Sequence, residues 1–245
     1  MKEMVIENIK QYCKELKLGS YIVKNLSTIE VDSQEEFLAR VLEMEVKHRQ
    51  AERKNRYLKQ AGFDVLKTFA DYTFDQIEIP ASIGREELKN AAFVERKENL
   101  ILYGPVGTGK THLATALGVE ACMNGRKVKF YRTAALVNEL IDAQSNGMLK
   151  KFLKPIEQAD LLICDEWGYV PLDLEGAKLL YQVIADCYEK KSIILTTNLE
   201  FSKWNSIFFD EKLTNAIIDR MVHHSHLLVF NGPSYRLQNS LMKHS

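Results

Sequence analysis

The segment GPVGTGKT, Gly104 to Thr111, follows the pattern G-x-x-x-x-G-K-[ST], whose chemistry is the holding of phosphates. Gly104, Gly107 and Gly109 let backbone N–H groups converge on phosphate oxygens, while Pro105, Val106 and Thr108 complete the loop. A helix starting at the lysine would add the positive end of its dipole. Lys110 has the reach to meet β and γ phosphates, and the Thr111 hydroxyl suits a Mg²⁺ ion bridging them.

A phosphate loop serves kinases, GTPases and mechanical ATPases alike, so other residues must choose among them. DLLICDEW, residues 160 to 167, is an apolar run that ends in Asp165 and Glu166. Asp165 is expected to hold Mg²⁺ through water, and Glu166 to orient and deprotonate an attacking water. A carboxylate pair in this position implies hydrolysis. SIILTTN ends in Thr196, Thr197 and Asn198. Ligands of open α/β sheets bind at the carboxyl edge of the strands, and Asn198 is expected there as an uncharged partner of the same water. A small-molecule kinase is the rival from another class; it would call for an arginine-rich acceptor lid, and none is apparent.

These groups can meet only if strands deliver them to one edge. From about residue 83 the short apolar runs NLILY, KVKFYR, DLLICD, SIILTTN and HLLVF alternate with helical patterns, which predicts an α/β fold with a parallel sheet flanked by helices. Upstream, VIENIKQYCKELKL and SQEEFLARVLEMEVKHRQAERKNRYLKQA carry apolar residues at helical spacing, and Ser33 followed by Glu36 reads as a capping box. Periodicity breaks after Gly62, and Pro80 closes the break. The expected organisation is an N-terminal helical domain at 1–65, a linker at 66–82 and a core at 83–245.

With 33 basic and 33 acidic side chains the net charge is zero, so affinity for nucleic acid has to come from clusters. KHRQAERKNRYLK, residues 47 to 59, holds six Lys or Arg against one acid, and on a helix Arg49, Arg53 and Arg56 share a face, a candidate DNA-phosphate ridge. The four cysteines form no CxxC pair, which argues against a disulfide scaffold or a zinc ribbon. A charged start and the lack of any apolar run of eighteen residues point to a soluble, cytoplasmic protein with no membrane partner. His223, His224 and His226 lie close in sequence, but HHSHLLVF reads as the beginning of a strand, in which only His224 and His226 would share a face. Without a nearby acid or cysteine they are expected to be structural rather than metal ligands.

Taken together, the phosphate loop at 104–111, the strand with its acidic pair at 161–166 and Asn198 resemble the AAA+ ATPases. Within that superfamily the chain is similar to the IstB and DnaC group, helper ATPases of insertion-sequence transposons and bacterial helicase loaders. The segments carrying this likeness are TFADYTFDQI, NLILYGPVGTGKTHLATALG, LLICDEWGYVPLD, ILTTNLEFSKW and AIIDRMVHHSHLLVFNGPSYR. DEWGYVP, HHSH and GPSYR look more like IstB than DnaC. The resemblance implies ATP and Mg²⁺ as ligands, Arg220 as an arginine finger reaching a neighbouring subunit, and Arg236 as the sensor-2 arginine of its own subunit. It further implies an oligomer that binds duplex DNA and assists a cognate transposase, associating with the nucleoid when DNA is bound. A DnaC-like loader of a replicative helicase is the alternative. Few residues follow Arg236, so the helical lid of most AAA+ proteins is not expected in full.

Overall fold

Strands of a parallel sheet are covered on both sides, so successive residues must be apolar whichever way they point. The central runs of this chain meet that demand. In the computed structural model, which describes residues 2–70, 72–208 and 210–240, six strands form one sheet in the order β1-β6-β2-β5-β4-β3. They are β1 (Ile77–Glu78), β2 (Asn99–Tyr103), β3 (Val128–Arg132), β4 (Leu161–Trp167), β5 (Ser192–Thr197) and β6 (Ser225–Phe230). All neighbours are parallel except β1, which lies antiparallel to β6.

The pleat sorts side chains between two cores. Ile101, Leu162, Cys164, Ile193 and Leu195 point to one face, under α6 (Thr133–Ser145), α7 (Leu149–Glu157), α8 (Leu174–Cys187) and α10 (Glu211–His223). Leu100, Leu102, Leu161, Ile163 and Ile194 point to the other, under α5 (Lys110–Met123) and the segment that precedes β2, which includes α4 (Arg85–Lys89). Trp167, at the end of β4, is fully buried with its ring 5.4 Å from Trp204 and 5.7 Å from Phe208 of α9 (Asn205–Phe208). A short helix, α11 (Tyr235–Gln238), follows β6.

Upstream lie α1 (Lys2–Glu15), α2 (Tyr21–Asn25) and the long α3 (Gln34–Ala61). As the capping signal predicts, the Ser33 hydroxyl accepts the Glu36 amide at 3.1 Å. The chain divides into two compact units, residues 1–56 and 57–245. This differs from the expected boundary at 65 and linker at 66–82. The last turn of α3 belongs to the second unit, with Ala61 fully buried, and Phe69, Tyr72, Phe74, Ile77 and Ile79 pack on the sheet rather than spanning open space. The segment lacks helical periodicity because it is an extended cover ending in β1, and a two-residue strand is too short to show a sequence pattern.

Within the first unit the organising group is a carboxylate. Glu45, only 6% exposed, accepts from the Gly19 amide at 2.9 Å, the Tyr21 hydroxyl at 2.7 Å and the Arg49 guanidinium at 2.6 Å. The Tyr21 hydrogen bond, aided by those from Gly19 and Arg49, outweighs desolvation and holds the Glu45 carboxyl at about 2.

Candidate nucleotide site

The loop after β2 is shaped by its neighbours as much as by any ligand. Gly104 and Gly107 both have positive φ, at 151° and 81°. A Cβ on Gly104 would collide with the backbone of Phe230 in β6, and one on Gly107 with the Ser234 hydroxyl. Glycine is therefore required at these positions by conformation and by close approach together. The Tyr235 amide donates to the Gly107 carbonyl at 3.0 Å, which ties the start of α11 to the loop. Packed this way, the loop leads straight into the N-terminus of α5, and backbone amides ahead of a helix start suit a chain of phosphates.

At the first residue of α5, Lys110 is 7% exposed and its Nζ donates to the carbonyls of Gly104 at 2.6 Å and Pro105 at 2.7 Å. Burial lowers its pKa to about 8; Asp165 opposes that shift and Arg236 adds to it. A lysine held this way is a poised cation, released from two carbonyls when a stronger acceptor arrives.

Asp165 is 2% exposed. Three hydroxyls act on it: Thr111 donates to its two carboxylate oxygens at 3.0 and 3.1 Å, Thr196 donates to Oδ1 at 2.5 Å, and Thr133 donates to its backbone carbonyl at 2.8 Å. Buried charge needs such partners. The Thr196 oxygen in turn accepts the Glu166 amide at 3.0 Å. Glu166 has φ of 58°, a left-handed conformation that turns its exposed side chain out of the strand register. A residue at positive φ beside a phosphate loop marks a place where position outweighs local conformational preference.

The open cavity at this edge has a volume of about 670 Å³. Its walls carry Val106 to Thr111 from the loop and helix, Glu166, Thr196, Arg236, and Tyr72, Gln76 and Ile77 from the segment before the core. Tyr72 is half-buried over the loop, with its hydroxyl 3.4 Å from the Gly109 carbonyl, its ring 4.9 Å from that of His112, and its pKa raised by desolvation. An aromatic wall above a phosphate cradle gives the flat, apolar surface a nucleobase stacks on.

The structure thus brings Gly104, Pro105, Val106, Gly107, Thr108, Gly109, Lys110, Thr111, Asp165, Glu166 and Arg236 to one edge of the sheet. Arg236 sits on α11, close enough for its charge to act on Lys110. Asn198 lies one residue past the end of β5, half-buried, and is not a wall of the cavity; Thr196 occupies that place. TTN offers three polar residues at a strand end, and strand alternation puts 196 and 198 on one side, so the sequence could not say which of the two meets the acid pair. Tyr72 was not legible as a site residue, because its segment has no period and a tyrosine before a core reads as packing.

Arg220 lies elsewhere. It is on α10, with its guanidinium 5.1 Å from the Tyr181 ring centre and donating to the Ala216 carbonyl at 3.0 Å, and it does not reach the cavity of its own chain. Arg49, Arg53 and Arg56 share an open groove of about 600 Å³ in the first unit, together with Lys17 and His48. Arg49 is tied down there, to Glu45 and to the Lys17 carbonyl at 2.7 Å.

The histidines depart from expectation. α10 runs through His223, so His223 and His224 sit at a helix end with ring centres 4.0 Å apart, while His226, the second residue of β6, points inward. His226 is structural as expected, bonded to Ser82 at 2.8 Å and Glu98 at 3.1 Å. His224 faces Glu189 at 3.4 Å, an acid brought in from 35 residues away, which proximity in sequence could not reveal.

Comparison with known proteins places these features in a family. The profile described as IstB-like ATP binding protein matches residues 14–243. Over 245 aligned residues the chain is 39% identical to a protein of Geobacillus stearothermophilus named for ATP binding in insertion sequence IS5376, covering 97% of this chain and 96% of that one. It is 43% identical over 205 residues to the similarly named protein of insertion sequence IS21 from Pseudomonas aeruginosa, covering 83% of this chain and 77% of the relative. Among solved structures, a DnaC helicase loader aligns with a TM-score of 0.52 and 25% identity over 71% of this chain and 98% of that one. AMPPCP-bound DnaA from Aquifex aeolicus aligns with a TM-score of 0.51 and 22% identity, over 63% of this chain and 46% of that one, a likeness of fold.

Proposed function

Because this chain belongs to the family of IstB-like ATP-binding proteins, we propose that it is an ATPase that assembles on duplex DNA through ATP held between subunits and assists the transposase of an insertion sequence. One observation carries the reading. The cavity gathers Lys110, Glu166 and Arg236 from its own chain, whereas Arg220 stands apart on α10, available to a neighbour. An arginine supplied from the next subunit makes hydrolysis depend on assembly, because a guanidinium stays charged and donates in a planar fork to phosphate oxygens.

In this reading the loop amides and Lys110 bind the β and γ phosphates, and Tyr72 lines the place of the base. Thr111 and Asp165, 3.0 Å apart, form a hydroxyl and carboxylate pair that fits Mg²⁺. When bound, that ion neutralises phosphate charge. Glu166, exposed at the cavity wall, orients and deprotonates the attacking water, and Thr196 fixes it by accepting its amide while holding Asp165. Asn198, one residue past the strand and off the cavity wall, leaves Thr196 as the polar residue of that strand end nearest the water, and Arg236 is assigned to the phosphates in its own subunit. The groove with Arg49, Arg53 and Arg56 is assigned to DNA phosphates, where contacts are independent of sequence.

Sizing with ATP, ADP or no nucleotide, each with and without duplex DNA, tests the reading. ATP and DNA together should give the largest assemblies, and Arg220→Ala should fail to assemble or hydrolyse while an isolated subunit still binds ATP. Unchanged assembly and turnover in that variant would remove the shared-site mechanism. A second reading, a loader of a replicative helicase, is favoured by the likeness to the DnaC helicase loader. It predicts ATP-dependent binding to single strands with a helicase present, and none to duplex DNA alone.

A further inference from the structure

Far from the cavity in function, the turn between α8 and β5 meets the end of α10. Lys191 anchors that turn from inside: it is 7% exposed and its Nζ donates to the carbonyls of Ile156 at 2.6 Å and Glu157 at 2.7 Å. The Lys190 and Lys191 amides both donate to the Cys187 carbonyl. Between these fixed points Glu189 adopts φ of 56°, the left-handed region that a residue with a Cβ rarely occupies. Its carboxylate thereby stands beside His223 and His224. One donor atom from each of the three lies within 4.8 Å of the other two.

We propose that Glu189, His223 and His224 form a surface site for a divalent transition-metal ion of the zinc class. The donor set decides the class: two imidazoles and one carboxylate suit Zn²⁺ and its neighbours, whereas Mg²⁺ and Ca²⁺ take oxygen ligands. Spacing agrees. Bonds of about 2.1 Å in a tetrahedral shell put ligand atoms about 3.4 Å apart, and His224 Nε2 already lies 3.4 Å from Glu189 Oε1. His223 is oriented as well. Its Nδ1 is 2.7 Å from the Tyr188 hydroxyl, a hydrogen bond that fixes the ring. Charges around the site are mixed, with Asp219 and Arg220 both acting on Tyr188. All three ligand side chains are exposed, so an ion can enter and keep water in its remaining position. Occupancy would join the end of α10 to the α8–β5 turn, three residues from Arg220.

This site does not depend on the nucleotide reading and can be tested without ATP. The full-length chain, freed of any tag and stripped with chelator, is titrated calorimetrically with Zn²⁺ and separately with Mg²⁺. The expected result is one equivalent of Zn²⁺ with a raised thermal midpoint, and no heat from Mg²⁺ at this site. The His223→Ala, His224→Ala double substitution should abolish saturable binding, and Tyr188→Phe should weaken it roughly tenfold through loss of the outer hydrogen bond. Co²⁺ bound to the unaltered chain provides a check that needs no variant: its visible bands should be those of nitrogen and oxygen ligands. No saturable Zn²⁺ binding, binding that survives the double substitution, or a thiolate charge-transfer band pointing to a cysteine would each overturn the proposal.

Discussion

Residues 57–245 put Leu100, Leu102, Leu117, Leu162 and Leu195 at 0% exposure between sheet and helices, whereas in residues 1–56 Leu38, Leu42 and Val46 line up along α3 more than half exposed. The helical unit buries Cys13 and Ile22 as its apolar centre and relies on Glu45 for cohesion. The sheet unit can hold an exact site because its frame is close-packed on both faces. A unit bound together by one carboxylate and a few helical contacts has less to resist distortion, and keeps apolar and basic side chains on its surface. A close-packed frame in one unit and an exposed apolar and basic surface in the other is a division that substitutions can break.

The largest effect should come from the acid pair. Glu166→Gln removes the proposed base while leaving the loop untouched, and should lower ATP turnover by roughly 10²–10⁴-fold with nucleotide affinity retained. Arg53→Ala with Arg56→Ala, made in the other unit, should weaken DNA binding at all sequences and flatten its salt dependence by about one unit per lost phosphate contact. Basal turnover without DNA should be unchanged in that double variant. Steady-state phosphate release and DNA titrations at several salt concentrations check both; a fall in DNA-free turnover from the Arg53 and Arg56 changes would break the division.

Lys110 sharpens the comparison from the side of charge. Its burial among loop carbonyls lowers its pKa from 10.5 to about 8, so between those values the folded chain lacks a proton that the unfolded chain holds. Stability without nucleotide therefore gains from this group as pH rises through that window, since the unfolded state binds more protons there. ATP favours the charged lysine, so binding at pH above 8 should take up a proton, and affinity should fall about tenfold per unit of pH over part of the window. Calorimetry in buffers of different ionisation enthalpy measures the uptake, and Lys110→Met should abolish it.

What the sequence disclosed follows the same division. GPVGTGKT and DLLICDEW announce themselves because their function constrains residue type and spacing at once, and the runs from NLILY to HLLVF announce the sheet because strands covered on two faces need continuous apolar stretches. The cover segment from Phe69 to Ile79 has no period, so in sequence it reads as a linker and Tyr72 within it carries no signal of the cavity it lines. Thr196 was hidden behind Asn198, since a one-dimensional pattern gives the face of a strand but not the depth at which it meets a carboxylate. Glu189 beside His224 is a meeting of residues 35 positions apart, set by the way α10 returns along α8. The basic ridge showed its shared face on α3, but not that Arg49 is held by Glu45.

Acid should separate the units next. Glu45 is held at about 2 in the folded chain against an ordinary 4.5, so its contribution is complete above 4.5 and is lost as pH falls through about 2. Far-ultraviolet circular dichroism during acid titration should show helix loss in this window, whereas Glu45→Gln, which cannot titrate, should lack that step and be less stable already at neutral pH. That variant leaves the Tyr21, Gly19 and Arg49 donors with a weaker acceptor, a cost of about 1–3 kcal/mol.

The smallest effect, that of Leu42→Ala, belongs to the most direct contrast between the units. Leu117, at 0% exposure, and Leu42, at 51%, are the same residue type on two helices. Leu117→Ala empties space under the sheet and should cost about 2–5 kcal/mol. Leu42→Ala removes a side chain already half in water, exchanges one strong helix former for another, and should change stability by no more than about 0.5 kcal/mol. Urea unfolding of the nucleotide-free chain at low concentration measures both. If Leu42→Ala costs as much as Leu117→Ala under those conditions, the α3 stripe is covered in solution, and the helical unit holds more of its stability in apolar contacts than Glu45 and its partners account for.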